Sequence, residues 1–102
     1  MQTEILEKIK LLKEILKVDG FIIDGIFGSY VRNDYTKNSD VDILYHLNDT
    51  FYAKYDGFTG FKKLEDIKNI LKKTIKKDVD LAPRNNLSKT AKKYILKDVI
   101  YV

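Results

Sequence analysis

The sequence predicts a small α+β domain with two layers, in which a mixed sheet of three or four strands is flanked by helices. Segments with helical periodicity alternate with short runs rich in β-branched and aromatic residues, as in two-layer sandwiches. The 102 residues are enough for one hydrophobic core and too few for two ordinary domains. Hydrophobic residues make up 44% of the chain and charged residues 33%, which is a globular rather than a disordered composition. We therefore expect residues 1–102 to form a single domain.

The first half of the chain predicts one helix and two strands. Residues 3–17 place apolar side chains at helical spacing, and the Asp19-Gly20 pair that follows is a typical helix stop. Phe21–Phe27 predicts a short buried strand, and residues 29–33 are expected to form a brief helical turn. A second strand is predicted over Val41–Leu47, where apolar and other residues alternate. Its expected core face is Val41, Ile43, Tyr45 and Leu47, and its other face is Asp42, Leu44 and His46.

The second half predicts a long helix, a very short strand and a last helix. Helical spacing predicts the long helix over residues 61–77, with lysines on its outer face. Residues 78–82 fit a strand that Pro83 ends, and residues 87–98 fit a helix capped by Ser88 or Asn86. Residues 99–102 form an apolar tail.

The aromatic stretch within residues 48–60 is not assigned to a helix or a strand by the sequence. It contains Phe51, Tyr52, Tyr55 and Phe58, with turn-forming residues at both ends. These rings fit either core packing under a loop or an exposed interaction surface, because a small domain cannot easily bury all of them.

Composition excludes several classes of protein. The chain has no cysteine, which rules out disulfides, thiolate metal sites and a cysteine nucleophile. It has neither an apolar run near the ~20 residues of a membrane span nor the apolar start of a signal peptide, so we expect a cytoplasmic protein without membrane attachment. The net charge of +4 is ordinary for a small domain, and we do not expect direct binding to nucleic acid.

A Gly-Ser pair and a pair of aspartates carry the chemistry. Gly28 ends the first strand where the chain turns sharply and a close approach to the backbone is possible. Ser29 opens a helical turn whose free N–H groups, with the serine hydroxyl, suit an anion. After ten intervening residues, Asp40 and Asp42 lie two positions apart at the start of the second strand, so we expect both side chains to point to one face. Two such carboxylates repel each other unless a cation lies between them, and Mg²⁺ is the natural choice.

A third carboxylate would complete a site for two metal ions. Asp78 and Asp80 are the candidates, because Val79 and Leu81 should face the core. Asp80 is preferred, since it lies nearer the middle of the short strand. A phosphate-binding turn beside paired aspartates fits phosphoryl or nucleotidyl transfer, in which metal ions polarise the phosphorus centre and stabilise the leaving pyrophosphate.

Three segments together resemble the minimal nucleotidyltransferases of the DNA polymerase beta-like superfamily. They are Ile26-Phe27-Gly28-Ser29-Tyr30-Val31-Arg32, Asn38-Ser39-Asp40-Val41-Asp42-Ile43-Leu44 and Val79-Asp80-Leu81. The resemblance implies a mixed sheet flanked by helices. It also implies that Asp40 and Asp42 bind two Mg²⁺ ions, that Asp80 binds the catalytic ion, and that Gly28 and Ser29 hold a nucleoside triphosphate.

One position departs from the family pattern. The family usually has glycine after the arginine of the first segment, whereas Asn33-Asp34 follows Arg32 here. Because asparagine tolerates a left-handed backbone, we expect the turn to keep its shape.

Short members of this family commonly lie beside a HEPN-domain RNase toxin and act as its antitoxin. They transfer AMP from ATP to a tyrosine near the active site of the toxin. The resemblance therefore implies an Mg²⁺-dependent adenylyltransferase that uses ATP, modifies a HEPN-type RNase toxin encoded by an adjacent gene, and could form a hetero-oligomer with it.

Two other functions fit the same motifs. Nucleotidyl transfer to a small molecule or an RNA end would need an acceptor-binding domain from a partner or a second subunit, since 102 residues leave no room for one. A non-catalytic antitoxin would neutralise its partner by binding alone and would not need the three carboxylates. The sequence leaves open the acceptor residue, the choice of nucleotide, the number of nucleotides added and the oligomeric state.

Four further features allow a functional and a structural interpretation. Arg32 lies one helical turn from Ser29 and fits either triphosphate binding or a surface position. Arg84 follows Asp80 by four residues and either borders the same pocket or lies elsewhere. His46 fits a hydrogen-bonded or half-exposed histidine better than a ligand or base. The lysines of residues 72–77 fit a solvated helix face, or else an electrostatic patch for RNA or an acidic partner.

Overall fold

The computed structural model describes residues 3–102, residue 86 by its backbone alone, and helices alternate with strands along the chain. The helices are α1 (Thr3–Leu16), α2 (Ser29–Arg32), α3 (Asp49–Lys54), α4 (Gly57–Ile75) and α5 (Lys89–Ile95). The strands are β1 (Phe21–Phe27), β2 (Val41–Leu47), β3 (Val79–Pro83) and β4 (Ile100–Tyr101). Short 3-10 turns over Lys17–Asp19 and Arg84–Asn86 follow α1 and β3.

The four strands form one mixed sheet in the order β3-β2-β1-β4. β1 pairs antiparallel with both β2 and β4, and β2 pairs parallel with β3. The parallel pair is connected through α3 and α4, the kind of helical crossover that parallel strands require. Pro83 can end β3 because β3 is an edge strand, where a missing N–H interrupts no ladder. The predicted α+β fold class with a small mixed sheet is confirmed.

The apolar stripes of α1 and α4 pack against one face of the sheet. Their fully or nearly fully buried residues are Ile5, Ile9, Leu12, Leu16, Ile67, Leu71 and Ile75. Val41, Ile43 and Tyr45 of β2 are buried on this face, as the alternation predicts. Leu44, which the alternation assigns to the other face of β2, is also fully buried. The second face of β2 is therefore covered at Leu44 and only partly covered at Asp42.

The unassigned aromatic stretch contains α3 and the start of α4. Asn48 caps α3, since its side chain accepts hydrogen bonds from the backbone N–H groups of Thr50 and Phe51. α4 begins at Gly57 with Asp56 at its N-cap position, four residues before the predicted start. The two glycines in this first turn and a half hide the helix from a pattern based on apolar periodicity.

The aromatic rings of this stretch divide between core and surface. Phe51 is buried, and its ring lies 5.2 Å from that of the half-buried Tyr55. Tyr52 and Phe58 are exposed, Phe58 at 92% of its surface. Some rings of the stretch thus pack in the core and others lie on the surface, so each interpretation holds for part of it.

The end of α4 lies before the predicted residue 77. Lys76 adopts a left-handed backbone with φ of 63° and donates its N–H to the carbonyl of Lys72 at 2.8 Å, so the helix ends at Ile75. Lys76 and Lys77 therefore follow the helix and do not lie on its face.

The last helix and the tail differ in length from their predictions. Ser88 caps α5 as predicted, because its hydroxyl accepts the N–H of Ala91 at 3.1 Å, but the helix is confined to Lys89–Ile95. The side chain of the alternative cap, Asn86, lies outside the described residues. The apolar tail forms β4, and the Val102 N–H donates to the carbonyl of Asp24 at 3.0 Å. None of the helices described within residues 3–102 is long and apolar enough to span a membrane.

Candidate functional site

The end of β1 and the starts of β2 and β3 lie at the same end of the sheet, where they position the predicted acidic residues. Phe27, the last residue of β1, pairs with Asp42, and Asp42 pairs with Asp80 across the parallel β2–β3 ladder. The Val41 N–H donates to the carbonyl of Asp78 at 2.9 Å, which aligns the starts of the two strands. Because residues in register on neighbouring strands share a face, Asp42 and Asp80 lie side by side on the face opposite Val41 and Val79.

Gly28 brings the backbone directly against the Asp42 carboxylate. Its φ of 80° and ψ of −152° belong to a region that glycine adopts and side-chain-bearing residues avoid. A Cβ at this position would lie 2.1 Å from Asp42 Oδ2 and 3.0 Å from Asp42 Cγ. The close approach that the sequence predicts at Gly28 is therefore made by one of the candidate metal ligands.

Ser29 opens α2, the short turn beside this contact. The carbonyl of Gly28 accepts hydrogen bonds from the N–H groups of Val31 and Arg32, both at 3.1 Å, and the first N–H groups of such a turn have no acceptor within it. Asn33 ends α2 with φ of 62° and ψ of 24°, so the expected left-handed turn is confirmed.

A stacked pair of aromatic rings, Tyr30 and Tyr35, holds α2 in place. The ring of Tyr30, which is 1% exposed, stacks on the ring of Tyr35 with centroids 4.3 Å apart. This stack joins the turn to the loop that leads to Asp40. The sequence motif contained Tyr30, but nothing in its spacing indicated that it anchors the turn.

The three acidic residues interact electrostatically. Burial first, and then the negative charges of Asp80 and Asp40, raise the pKa of Asp42 from 3.8 to about 6, while the positive charge of Arg32 opposes the rise. A carboxylate pKa raised by burial and like charges is typical of functional sites. Asp40 and Asp80 are less sheltered, Asp80 being exposed, so Asp42 is the member of the group on which burial acts most strongly.

Arg32 lies close enough to influence Asp42, but its ion pairs are with other residues. Its Nε lies 3.2 Å from Asp34 Oδ2, and its Nη1 lies 3.9 Å from Asp98 Oδ2. The side chain is about half exposed, so these ion pairs are weak and exchangeable.

The donor set fits a divalent cation by its chemistry. Carboxylate oxygens are the ligands that Mg²⁺ prefers, and a cation would offset the repulsion that raises the pKa of Asp42. Within residues 3–102 no three acidic or histidine side chains converge on a single metal position. The structure thus describes a suitable set of ligands and does not describe a coordination geometry.

His46 and Arg84 lie together at the other end of the sheet. The two carboxylate oxygens of Asp24 each lie 2.9 Å from His46 Nδ1, and Arg84 Nη1 donates to Asp24 Oδ1 at 3.2 Å. Arg84 follows the Tyr45–Pro83 pair that ends the β2–β3 ladder, so the structure does not bring it to the candidate site. His46 is a hydrogen-bonded, partly exposed residue, as expected.

A concave surface lined by lysines lies before the starts of β2 and β3. Lys37 from the loop before Asp40 joins lysines near the end of α4 to line a cavity of about 520 Å³. The sequence indicated the lysines of residues 72–77, but it gave no signal that Lys37 would lie beside them.

Comparison with known proteins identifies relatives over nearly the whole chain. Residues 7–102 match the family model described as a nucleotidyltransferase domain. A candidate protein adenylyltransferase of Methanocaldococcus jannaschii is 38% identical over 101 residues, which cover 97% of this chain and 92% of that protein. The protein adenylyltransferase MntA of Thermococcus cleftensis is 30% identical over 90 residues, which cover 88% of this chain and 83% of MntA.

Solved structures share the fold. A candidate minimal nucleotidyltransferase superposes with a TM-score of 0.72 at 18% identity, over 100% of this chain and 97% of that one. A chain of a toxin–antitoxin crystal structure with AMP-PNP superposes with a TM-score of 0.68 at 22% identity, over 98% of this chain and 72% of that one. The predicted minimal nucleotidyltransferase fold is confirmed.

Proposed function

The chain belongs to the nucleotidyltransferase domain family, and from this membership we propose that it transfers AMP from ATP to a hydroxyl group of a partner protein. One observation carries the proposal: the Asp42 carboxylate lies against the backbone of Gly28 on one side and beside Asp80 on the other. This contact joins the candidate phosphate-binding turn to the candidate metal ligands, which nucleotidyl transfer requires.

Asp40, Asp42 and Asp80 are the residues that would hold Mg²⁺ ions. When bound, the ions supply Lewis-acid polarisation of the phosphate and charge neutralisation of the leaving pyrophosphate. The negative charges of Asp40 and Asp80 both act on Asp42 and help to raise its pKa. Loss of this residue should therefore disturb the whole ligand set.

Gly28, Ser29 and Arg32 would hold the triphosphate. The absence of a side chain at Gly28 lets the Asp42 carboxylate approach the backbone. Ser29 opens the adjoining turn, where its hydroxyl and the free N–H groups of the turn suit a phosphate. Arg32 is exposed and held by weak ion pairs, so it can exchange Asp34 for a phosphate oxygen at little cost.

Asp80 is proposed to act on the acceptor. Its side chain is exposed on the edge strand β3, on the far side of Asp42 from Gly28. In the proposed reaction the acceptor hydroxyl oxygen bonds to the α-phosphorus of ATP, and the bond from that phosphorus to pyrophosphate breaks. The hydroxyl proton passes to Asp80, and the products are the AMP ester and pyrophosphate.

The acceptor is proposed to be a tyrosine of a HEPN-type RNase toxin, with this chain as its antitoxin. Two facts support a protein acceptor: MntA of Thermococcus cleftensis is named a protein adenylyltransferase, and a structural neighbour comes from a toxin–antitoxin complex. The described residues form a single core cluster and no separate acceptor-binding domain, so a folded acceptor would supply part of the recognition surface.

Incubation with labelled ATP, Mg²⁺ and the product of the neighbouring gene tests the proposal. We expect label on a tyrosine of that protein and loss of its RNase activity. Replacing both Asp40 and Asp42 by Ala should reduce labelling by about 1,000-fold or more, because the metal ligands act in the transition state.

The matched control replaces two exposed acidic residues of α4, Glu65 and Asp66, by Ala, which removes the same charge away from the site. Labelling that survives in the Asp40→Ala/Asp42→Ala variant would contradict the proposed site. Neutralisation without labelling by that variant would instead identify a non-catalytic antitoxin. Labelling of RNA or a small molecule in the absence of the partner would contradict the protein acceptor.

A further inference from the structure

The lysine-lined cavity beside the candidate site has a strong positive charge. Its lining consists of Lys37, Asn38, Ser39, Lys72, Lys76, Lys77 and Asp78. Four lysines thus line a volume of about 520 Å³, and one aspartate, Asp78, offsets a single positive charge. The side chain of Asp78 is 74% exposed and lies 3.4 Å from Lys72, so the pair is weak.

Two ordered segments form the walls of this cavity. In the loop before β2, the Thr36 N–H donates to Ser39 Oγ at 2.9 Å, and the Ser39 N–H donates to the carbonyl of Thr36 at 3.1 Å. In the opposite wall the left-handed Lys76 turns the chain out of α4. Lys77 Nζ donates to the carbonyl of Lys37 at 3.4 Å and so connects the two walls.

The position of the cavity relates it to the acceptor rather than to the nucleotide. Sheet order places the end of β1, with Gly28, on one side of Asp42, and the start of β3, with Asp80, on the other side. The cavity is formed by the residues that lead into β2 and β3, among them Ser39 and Asp78. In the order of the strands it therefore lies on the Asp80 side of Asp42, the side on which the acceptor is proposed to bind.

We propose that this cavity, which we call the lysine cavity (Lys37, Lys72, Lys76 and Lys77), docks an acidic segment of the acceptor protein and so positions its hydroxyl at Asp80. The inference rests on the proposed function, which it extends by giving the chemistry of the partner surface. Clustered lysines attract carboxylates and steer association through their summed field.

The lining favours an acidic polypeptide over RNA. Proteins that hold single-stranded RNA stack its bases on aromatic rings or arginine planes. Among the described residues, those that line the lysine cavity include neither an aromatic ring nor an arginine. Point charges without stacking surfaces suit a run of Asp and Glu side chains better than a run of bases.

The binding test is an NMR titration of the isotope-labelled protein with two probes of similar charge, octaglutamate and an eight-nucleotide oligouridine. We expect octaglutamate to shift amide signals of residues 37–39 and 72–78, and to bind more tightly than oligouridine. A Lys37→Glu/Lys76→Glu variant should weaken octaglutamate binding at least about tenfold. The control variant, Lys10→Glu/Lys93→Glu, makes the same change in net charge at exposed positions of α1 and α5 and should bind as the wild type does.

The functional test measures labelling of the partner protein at varied concentrations. The Lys37→Glu/Lys76→Glu variant should raise the KM for the partner at least about tenfold, leave the KM for ATP unchanged and keep its Tm near that of the control. An unchanged KM for the partner, or tighter binding of oligouridine than of octaglutamate at residues 37–39 and 72–78, would overturn the inference. A wild-type protein that labels nothing would contradict the proposed function instead, and the titration would still decide whether the cavity binds acidic chains.

Discussion

The Asp42 carboxylate combines three structural properties. It lies where a Cβ of Gly28 would be, it lies beside Asp80 across the ladder, and burial together with neighbouring negative charges raises its pKa to about 6. A surface aspartate would have none of these properties. Asp42 is therefore the residue at which the stability of the fold and the requirements of the site oppose each other most directly.

Replacing Asp42 by Asn is expected to stabilise the metal-free protein at neutral pH. Because the folded-state pKa is above the ordinary value of 3.8, the folded chain binds this proton more tightly than the unfolded chain does. The stability that protonated Asp42 provides is complete below about pH 4 and is lost as the pH rises through about 6. Since the group is partly solvated, we expect the Asp42→Asn substitution to add about 1 kcal/mol at pH 7.5.

Urea unfolding in EDTA at pH 4 and pH 7.5 measures this difference. The variant and the wild type should differ little at pH 4 and by the full amount at pH 7.5. Asp66→Asn, an exposed change on α4, controls for the loss of one carboxylate. A variant that is less stable than the wild type at pH 7.5 would show that the carboxylate has favourable partners which outweigh burial and repulsion.

Two elements end in left-handed residues other than glycine. Asn33 ends α2 with φ of 62°, and Lys76 ends α4 with φ of 63°. Asparagine tolerates this conformation, whereas a lysine there adopts it at a cost of about 1 kcal/mol. The strained position is also one of the walls of the lysine cavity. The fold thus keeps a charged residue where glycine would be the more stable choice.

Replacing Lys76 by Gly should raise stability while it removes a charge from the lysine cavity. We expect a gain of about 0.5 to 1 kcal/mol in the free energy of unfolding, because relief of the left-handed strain exceeds the added entropy of an unfolded glycine. Thermal unfolding followed by circular dichroism should show a Tm higher by a few degrees. Asn33→Gly is the matched control and should gain less. A lower Tm for Lys76→Gly would mean that side-chain contacts of Lys76 outweigh its backbone strain.

The sequence predicted best the elements that are specified by a pattern of neighbouring residues. The apolar spacing of α1 and the β-branched content of β1 and β2 identified these elements with accurate bounds for both strands. α4 was predicted four residues short at its start, because Gly57 and Gly60 are poor helix formers. β4 was predicted only as an apolar tail, since two residues carry no periodicity.

In the candidate site too, spacing along the sequence predicted some positions, whereas others depend on contacts between distant segments. Spacing along β2 and β3 placed Asp42 and Asp80 on one face, and the structure brings them into register. No local pattern could show that Arg84 would bind Asp24 at the other end of the sheet, or that Lys37 would approach Lys77 across the start of β2. These contacts arise only when segments 40 or more residues apart are packed together.

At the scale of the whole molecule, residues 100–102 connect strand β1 with helix α1. β4 pairs with Gly25 and Ile26 at the free edge of β1, and the Val102 N–H donates to the carbonyl of Asp24. Lys13 of α1 donates to the carbonyl of Val102, which joins the first helix to the end of the chain. A Cβ at Gly25 would lie 2.5 Å from the carbonyl oxygen of Ile100, so the tail lies flat against the strand.

Deleting residues 99–102 should therefore destabilise the entire fold and not only its end. The deletion exposes one edge of β1 and removes several backbone hydrogen bonds worth about 1 kcal/mol each, so we expect a loss of about 2 to 4 kcal/mol. That is a large share of the roughly 5 to 15 kcal/mol typical of a folded domain. Urea unfolding gives the loss, and hydrogen exchange should show β1 amides opening far more often.

Tyr101→Ala is the control, because it removes a side chain that is 63% exposed and keeps the backbone pairing. If Tyr101→Ala costs as much as the deletion, side-chain packing rather than strand pairing holds the tail. If the deletion costs nothing, the sheet is complete with three strands.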